Sequence, residues 1–124
     1  MRLSDFEIDV LTRFWDHGRL SAPELFREMG ESRGVTYSTI KTIVDRLEDK
    51  GAIRRVDTEG KTIIYTAAVA RERVRKPLVQ TFVRRLFGDD RKPLFAQLLR
   101  DEALSGEEIE FLKQLVDEAE KHRS

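Results

Sequence analysis

The 124-residue sequence has no cysteine, only three prolines and no long apolar run. Without cysteine the chain can form no disulfide, no thiolate metal site and no cysteine nucleophile, which suits a reducing cytoplasm. No segment approaches the roughly 20 apolar residues of a membrane span, and the opening MRLSDFEIDV has acids where a signal peptide needs an apolar stretch. We therefore expect a cytoplasmic protein with no membrane-inserted segment.

Catalytic motifs are lacking as well. The two histidines, His17 and His122, do not stand at the spacing of metal ligands, and there is no glycine-rich phosphate loop. General acid–base chemistry needs converging groups, and these two side chains offer none. The sequence therefore predicts a protein that is not an enzyme and that has no metal site and no cofactor.

Net charge is also absent, since 23 basic and 23 acidic residues cancel. Many DNA-binding domains are clearly basic, so the total charge does not indicate a nucleic-acid partner. Its distribution is more informative. Residues 1–32 carry four basic and seven acidic side chains, residues 33–61 carry seven and five, and residues 71–85 carry six and one. The positive charge therefore lies beyond the first quarter of the chain.

Two capping boxes predict the first two helices. Ser4 and Ser21 are each followed three residues later by glutamate, so that serine and glutamate side chains can satisfy each other's backbone amides. Apolar spacing predicts one helix over residues 5–17 and a short second helix to about Met29. A polar, glycine-flanked turn is expected over residues 30–35.

The longest helical pattern in this half begins after Thr36 and ends at Gly51. At 100° per residue, one side is apolar and the opposite side is polar. The apolar residues are Ile40, Ile43, Val44 and Leu47. A DNA major groove admits a helix whose first half carries short hydroxyls and bases, although a polar side is also ordinary for any surface helix. The candidate DNA contacts on this helix are Ser38, Thr39, Lys41, Thr42 and Arg46.

A β-hairpin is predicted next, because residues 53–56 and 61–66 are rich in β-branched side chains and flank a turn at 57–60. Helix, short helix, long helix and hairpin follow one another as in a winged helix-turn-helix, with the hairpin as the wing. Candidate phosphate contacts in the hairpin and at the start of the second helix are Arg54, Arg55, Lys61 and Ser21. Protection of an exposed strand edge explains the two arginines equally well.

The rest of the chain predicts helices only, over about residues 70–87 with a kink or restart at Pro77, over 93–100, and after a third capping box at Ser105. These helices are too short to close a core alone, yet they carry many apolar residues. A second copy of the chain is the simplest partner. The candidate dimerisation residues are Leu78, Phe82, Leu86, Phe87, Leu94, Phe95, Leu98, Leu99, Ile109, Leu112 and Val116.

The expected fold is thus mainly α with a small β-hairpin. Residues 1–68 form a winged-helix DNA-binding domain and residues 69–124 form a helical dimerisation domain. The expected function is binding of double-stranded DNA by a homodimer. Two alternatives stay open: a winged-helix module that docks an acidic protein through Arg54, Arg55 and the polar helix side, and a ligand-responsive regulator of another winged-helix family.

Four segments together resemble the penicillinase repressor family, the BlaI/MecI/CopY type of bacterial repressors. They are LSDFEIDVLTRFWDHG, VTYSTIKTIVDRLEDKGAIRR, EGKTIIYTA and LSGEEIEFLKQLV. The resemblance implies a homodimeric transcriptional repressor that occupies a promoter and binds palindromic operators of the TACA/TGTA kind through the third helix. It places Ser38, Thr39, Lys41, Thr42 and Arg46 on that helix, Lys61 and Tyr65 on the wing, and residues 70–122 on the dimerisation helices.

The resemblance also bears on how repression is relieved. The copper-responsive branch of the family uses a cysteine cluster near its C-terminus, and this chain has no cysteine, so that switch is excluded. The antibiotic-responsive branch is cut by a membrane sensor protease at an Asn–Phe bond in the dimerisation domain. The matching place here is Gln97–Leu98, which makes proteolytic relief by a membrane sensor protease a further expectation.

Overall fold

This computed structural model describes residues 1–101 and 103–123. Helices and short strands alternate in the first half, and helices alone follow. The elements are α1 (Asp5–His17), β1 (Arg19–Ser21), α2 (Ala22–Leu25), a π-helical turn (Phe26–Gly30), α3 (Glu31–Arg33), α4 (Tyr37–Asp49), β2 (Ile53–Glu59), β3 (Thr62–Ala67), α5 (Arg71–Phe87), α6 (Lys92–Asp101) and α7 (Gly106–Arg123). The mainly helical winged-helix architecture predicted above is confirmed.

The chain divides into two compact units, Met1–Leu78 and Val79–Ser124, and the division falls inside α5. The first unit contains the whole winged helix. The predicted boundary between DNA-binding and dimerising residues, at 68/69, lies just before α5 and stays a prediction about function. Pro77 lies within α5, which is continuous from Arg71 to Phe87 rather than restarting there.

Capping boxes start the helices where the sequence predicts. Ser4 Oγ accepts the Glu7 N–H at 3.1 Å while Glu7 Oε1 accepts the Ser4 N–H at 2.8 Å. The same reciprocal pair forms at Ser21 and Glu24. Gly18 ends α1 with a φ of 86°, a backbone conformation that side chains with a Cβ rarely adopt.

The second helical segment is longer than predicted. The chain does not leave the helix at Gly30 but passes through the π-helical turn into α3, and the turn before α4 shrinks to residues 34–36. Gly30 is buried in this segment, and a Cβ there would overlap the ring of Phe26. The Phe26 ring in turn meets Tyr37 edge-on, with ring centroids 6.0 Å apart. The π-helical turn depends on these ring contacts, so the spacing of apolar residues in the sequence does not predict it.

The sheet has three strands in the order β1-β3-β2, all antiparallel, where the sequence predicts a hairpin alone. Residues Arg19–Ser21, between the first two helices, pair with β3, with Leu20 opposite Tyr65. Strand β2 continues to Glu59, so the predicted four-residue turn is a two-residue turn of Gly60 and Lys61. A bulge between Arg55 and Asp57 keeps both halves of β2 in register with β3.

One core holds the first unit together. Its members come from α1, the α2–α3 segment, α4 and the sheet, and all of them are nearly inaccessible to solvent. They are Val10, Leu11, Phe14, Leu20, Ala22, Leu25, Met29, Ile40, Ile43, Val44, Leu47, Ala52, Ile53 and Tyr65. Trp15 lies at its margin and donates its indole N–H to the Val69 carbonyl at 2.9 Å. This indole is therefore part of the structural core.

The second unit is different, because its large apolar side chains stay exposed. Of the eleven predicted dimerisation residues, nine are 37–65% exposed and the other two, Phe87 and Leu94, are half-buried. An apolar groove of about 1050 Å³ runs between α6 and α7, with Phe95, Leu98, Leu112 and Val116 among its lining. None of the helices within residues 1–101 and 103–123 combines the length and apolar composition needed to cross a membrane.

The predicted cleavage bond, Gln97–Leu98, lies inside α6. Proteolysis favours exposed loops, so cleavage in the middle of a helix requires local unfolding first. The cleavage site stays a prediction.

A buried carboxylate ties α1 to the end of α4. Glu7 is only 2% exposed, and its Oε1 accepts a hydrogen bond from Lys50 Nζ at 2.8 Å; the same ammonium donates to the Arg2 carbonyl. Burial raises the pKa of Glu7, but the hydrogen bonds from Lys50 and Ser4 outweigh it, so that the pKa of this carboxyl is lowered overall. The ionised carboxylate therefore stabilises the folded state.

We expect Glu7→Gln to lower the free energy of unfolding at pH 7 by about 1–3 kcal/mol, since it leaves Lys50 without its anionic partner. Because the folded-state pKa lies below the unfolded value, this contribution is present above the unfolded pKa and is lost as pH falls through the folded pKa. Urea denaturation at pH 7 and at pH 3 measures both effects. Glu24→Gln is the control, since Glu24 forms the same capping box without a lysine; an equal loss there would assign the effect to capping alone.

Candidate DNA-binding surface

Helix α4 presents one polar side because its other side is in the core. Thr36 caps its start by accepting the Thr39 N–H at 3.3 Å, and the four predicted apolar residues are all buried. On the opposite side Ser38, Thr42 and Arg46 are exposed, with Thr39 and Lys41 partly exposed at its margins. The five candidates on α4 therefore lie along the accessible side of one helix.

The first two turns of α4 carry a cluster of hydroxyls. Thr36 Oγ1 lies 3.0 Å from Ser38 Oγ and 3.2 Å from Thr39 Oγ1. Thr42 Oγ1 donates to the Ser38 carbonyl at 2.9 Å. These bonds fix the hydroxyl positions while leaving lone pairs on Thr42 and Ser38 free to accept from the NH₂ groups of bases. The cluster is a fixed set of short polar groups on the side of the helix that faces solvent.

The two cations of α4 differ in their partners. Lys41 Nζ lies 2.6 Å from Asp45 Oδ1, one turn further along the helix. The hydrogen bond to Asp45 raises the pKa of Lys41 above its ordinary value, so the amine is protonated at any physiological pH. Arg46 has neither an ion pair nor a hydrogen bond among the residues that the structure describes, and its guanidinium is exposed.

Strand alternation separates the two wing arginines. Arg55 lies opposite Tyr65 on β3, and Arg54 lies opposite Thr66, so their side chains belong to opposite faces of the sheet. Arg55 is on the face toward α4, where its Nε and Nη2 donate to Glu48 at 2.7 and 3.3 Å. The hydrogen bonds to Glu48 raise the pKa of Arg55. The structure therefore brings Arg55, but not Arg54, beside α4.

The tip of the wing carries Lys61, which occupies the turn instead of the predicted strand. Its ammonium is exposed and has no ion pair in the described part of the chain. Asp57, on the outer face of the sheet, is held by the Thr58 N–H and by Arg19 at 3.0 Å, and these bonds lower its pKa. Lys61 is thus a free cation at the end of the hairpin.

Two predicted contacts do not reach the surface. Tyr65 is 1% exposed because it lies on the sheet face that packs into the core, and its hydroxyl has no hydrogen-bond partner among the described residues. Ser21 is 3% exposed, and its hydroxyl is occupied by the Glu24 N–H. Burial keeps the side chains of Tyr65 and Ser21 from solvent, so neither side chain is accessible to DNA in this structure; the predicted phosphate contact at the start of α2 stays a prediction.

Acidic side chains partner several of these cations, and the sequence motifs do not show these pairings. Asp45, Glu48 and Asp57 each hold a basic side chain on or beside α4 and the wing. The spacing of four residues between Lys41 and Asp45 is a sequence signal for such a pair. The other two pairs join different elements and leave no local pattern.

Comparison with known proteins shows which family the chain belongs to. The sequence profile of the penicillinase repressor family matches residues 3–118. The chain belongs to the penicillinase repressor family. It is 28% identical over 121 residues to the penicillinase repressor of Staphylococcus aureus, covering 98% of this chain and 95% of that one. It is 27% identical over 117 residues to the penicillinase repressor of Bacillus licheniformis, covering 94% and 91%.

Solved structures agree with this membership. The solution structure of the DNA-binding domain of the repressor BlaI matches this protein with a TM-score of 0.52 and 28% identity, and the match covers 56% of this chain and 84% of the BlaI domain. A MarR family protein from Bacillus stearothermophilus matches with a TM-score of 0.53 and 22% identity, over 99% and 76%, which shows the shared fold. The named curated relatives are repressors rather than enzymes. In the described residues no three His, Asp or Glu side chains converge as a metal site would require.

We expect Tyr65→Phe to leave the free energy of unfolding unchanged or to raise it by up to about 1 kcal/mol, because the buried hydroxyl forms no well-placed hydrogen bond in the described residues and has only the Lys41 ammonium near it. Tyr37→Phe is the control, since Tyr37 is 41% exposed and its hydroxyl can keep its water. Urea denaturation measures both. A loss of stability in Tyr65→Phe would mean that this hydroxyl has a hydrogen-bonding partner.

Proposed function

We propose that the protein is a sequence-specific transcriptional repressor that binds a palindromic operator as a homodimer and blocks a promoter by occupying it. Helix α4 enters the major groove, with Ser38, Thr42 and Arg46 toward base edges or nearby phosphates. Lys61 at the tip of the wing binds the flanking backbone. The observation that carries the proposal is the fixed hydroxyl cluster on the exposed side of a helix whose other side is buried.

Family membership supports the repressor function. The two relatives are named as penicillinase repressors, and the matched BlaI structure is that of a DNA-binding domain and covers 56% of this chain. Zero net charge does not oppose the proposal, because the phosphate contacts depend on local cations. Arg46, Arg54 and Lys61 are exposed and free of ion pairs within residues 1–101 and 103–123.

The exposed apolar side chains of α6 and α7 support the homodimer. Monomeric proteins rarely expose contiguous apolar patches larger than a few hundred Å², and the groove between these helices is lined by Phe95, Leu98, Leu112 and their neighbours. Symmetric pairing of the second unit covers this surface and brings two α4 helices to one duplex. A palindromic operator is the sequence that such a pair recognises.

Selection from random duplex DNA with the full-length protein gives the first test. We expect enrichment of a palindrome with TACA/TGTA-like half-sites, and protection of that palindrome in a footprint upstream of this gene or a neighbouring one. Binding should weaken steeply as salt rises, since counterions are released on contact with phosphates. Selection that enriches no sequence, or a footprint without protection at low salt, would contradict the proposal.

We expect Thr42→Val to lower operator affinity about tenfold and to leave binding to scrambled DNA unchanged, because it removes a base-facing hydroxyl while keeping the side-chain shape. Fluorescence anisotropy with the selected operator and a scrambled duplex measures both. Thr12→Val is the matched control, since Thr12 makes the same hydrogen bond to the carbonyl four residues earlier, on α1. An equal loss in both variants would indicate a folding effect.

We expect Leu98→Glu to convert the protein to a monomer and to weaken operator binding by more than about tenfold, because a charge cannot be buried unpaired in the apolar interface. Sedimentation equilibrium gives the oligomeric state. Gln97→Glu adds the same charge at the neighbouring, exposed polar position of α6 and should leave the dimer intact. A dimer that persists in Leu98→Glu would place the interface elsewhere.

A further inference from the structure

The positions of the acidic residues on α4 do not favour helix stability. Glu48 and Asp49 lie in its last turn, where the negative end of the helix dipole disfavours carboxylates. In the pair of Lys41 and Asp45 the lysine precedes the acid, which is the weaker of the two orders on a helix. Three carboxylates on a helix proposed to lie against phosphates need another explanation.

Two of these acids each hold one cation, and the third holds none. Asp45 Oδ1 lies 2.6 Å from Lys41 Nζ, and Glu48 accepts two hydrogen bonds from Arg55. Asp49 is exposed and has no side-chain partner among the described residues. Helix α4 therefore carries two carboxylates that each bind one specific cation, and a third, Asp49, that can serve as an unpaired comparison.

Of the two pairs, that of Lys41 lies nearer the hydroxyl cluster. Lys41 directly precedes Thr42 and is one turn from Ser38, whereas Glu48 is about 10 Å further along the helix axis than Lys41, at 1.5 Å per residue. The Lys41 and Asp45 side chains are 38% and 53% exposed. An ion pair this exposed is weak enough to exchange for another anion, so a DNA phosphate or base can compete for the lysine.

We propose that Asp45 is a specificity-determining residue that restrains Lys41 on non-operator DNA and releases it only on the operator. The inference rests on the proposed function. On any duplex, a phosphate contact by Lys41 competes with Asp45, whose carboxylate already neutralises the ammonium, so the contact yields little net affinity. On the operator, the hydroxyls of α4 fix the helix in the groove, and the high local concentration of one acceptor favours the exchange.

The restraint on Lys41 raises the ratio of the affinity for the operator to the affinity for non-operator DNA. Non-specific binding depends almost entirely on the number of phosphates neutralised. A cation withheld from random sequence removes one such contact there and keeps it on the operator. A protein with zero net charge can in this way discriminate without a strongly basic surface.

Asp45→Asn tests the proposal in the full-length protein. We expect its affinity for a scrambled duplex to rise about three- to tenfold, and the slope of log affinity against log salt to steepen by about 0.9, the value of one added phosphate contact. Affinity for the selected operator should rise less, so that the ratio of the two affinities falls. Fluorescence anisotropy over a range of sodium chloride concentrations measures all three quantities.

Asp49→Asn is the matched control, since it makes the same change in net charge on the same helix but releases no lysine. Its salt slope should stay that of the wild type. The double variant Lys41→Met/Asp45→Asn should have the slope of Lys41→Met alone. Both acids are exposed, so melting temperatures should change little, and Asp45→Ser is a second variant that also removes the carboxylate.

Three results would overturn the proposal. If Asp45→Asn and Asp49→Asn steepen the salt slope equally, the change in net charge explains the whole effect. If the slope of Asp45→Asn equals that of the wild type, Lys41 is not restrained. Loss of operator affinity in Asp45→Asn without a gain on scrambled DNA would show that the carboxylate itself reads a base. If instead the wild type does not prefer its selected operator over scrambled DNA, the proposed function fails first.

Discussion

The burial of one stripe of α4 is the constraint on which the rest of the structure depends. Ile40, Ile43, Val44 and Leu47 are at most 6% exposed, and burying each such side chain contributes about 1.5–3 kcal/mol. A rotation of the helix by one residue turns it by 100° and exposes part of this stripe. Contacts with α1 and the sheet therefore decide which way Ser38 and Thr42 point, before any DNA is present.

The sheet imposes a similar choice on the wing. Successive residues of a strand face opposite sides, so Arg54 and Arg55 cannot share one surface, although they are adjacent in the sequence. The bulge after Arg55 lets β2 keep its pairing with β3 up to the turn, which places Lys61 at the tip. Strand geometry thus gives three neighbouring cations three different surroundings: one held by Glu48, one on the outer face and one at the end of the hairpin.

Local signals made much of this fold predictable. The capping boxes and the helical periodicity predict α1, α4 and their buried sides, because they depend on residues three or four positions apart. Non-local features were missed. The pairing of β1 with β3 joins residues more than 40 positions apart, and Ile63, Ile64 and Tyr65 are all apolar, so alternation does not reveal that Tyr65 points into the core. The ion pairs between elements leave no pattern in the sequence for the same reason.

The π-helical turn has a mechanical consequence for α4. Because Gly30 carries no side chain, the ring of Phe26 can lie over the backbone there, and this ring supports the edge of Tyr37 at the first position of α4. The angle at which α4 leaves the preceding turn thus depends on an absent methyl group at a buried position on another helical segment. The direction in which α4 starts is thus set by two contacts at its N-terminal end, the Phe26 ring over Gly30 and the edge-on contact of that ring with Tyr37.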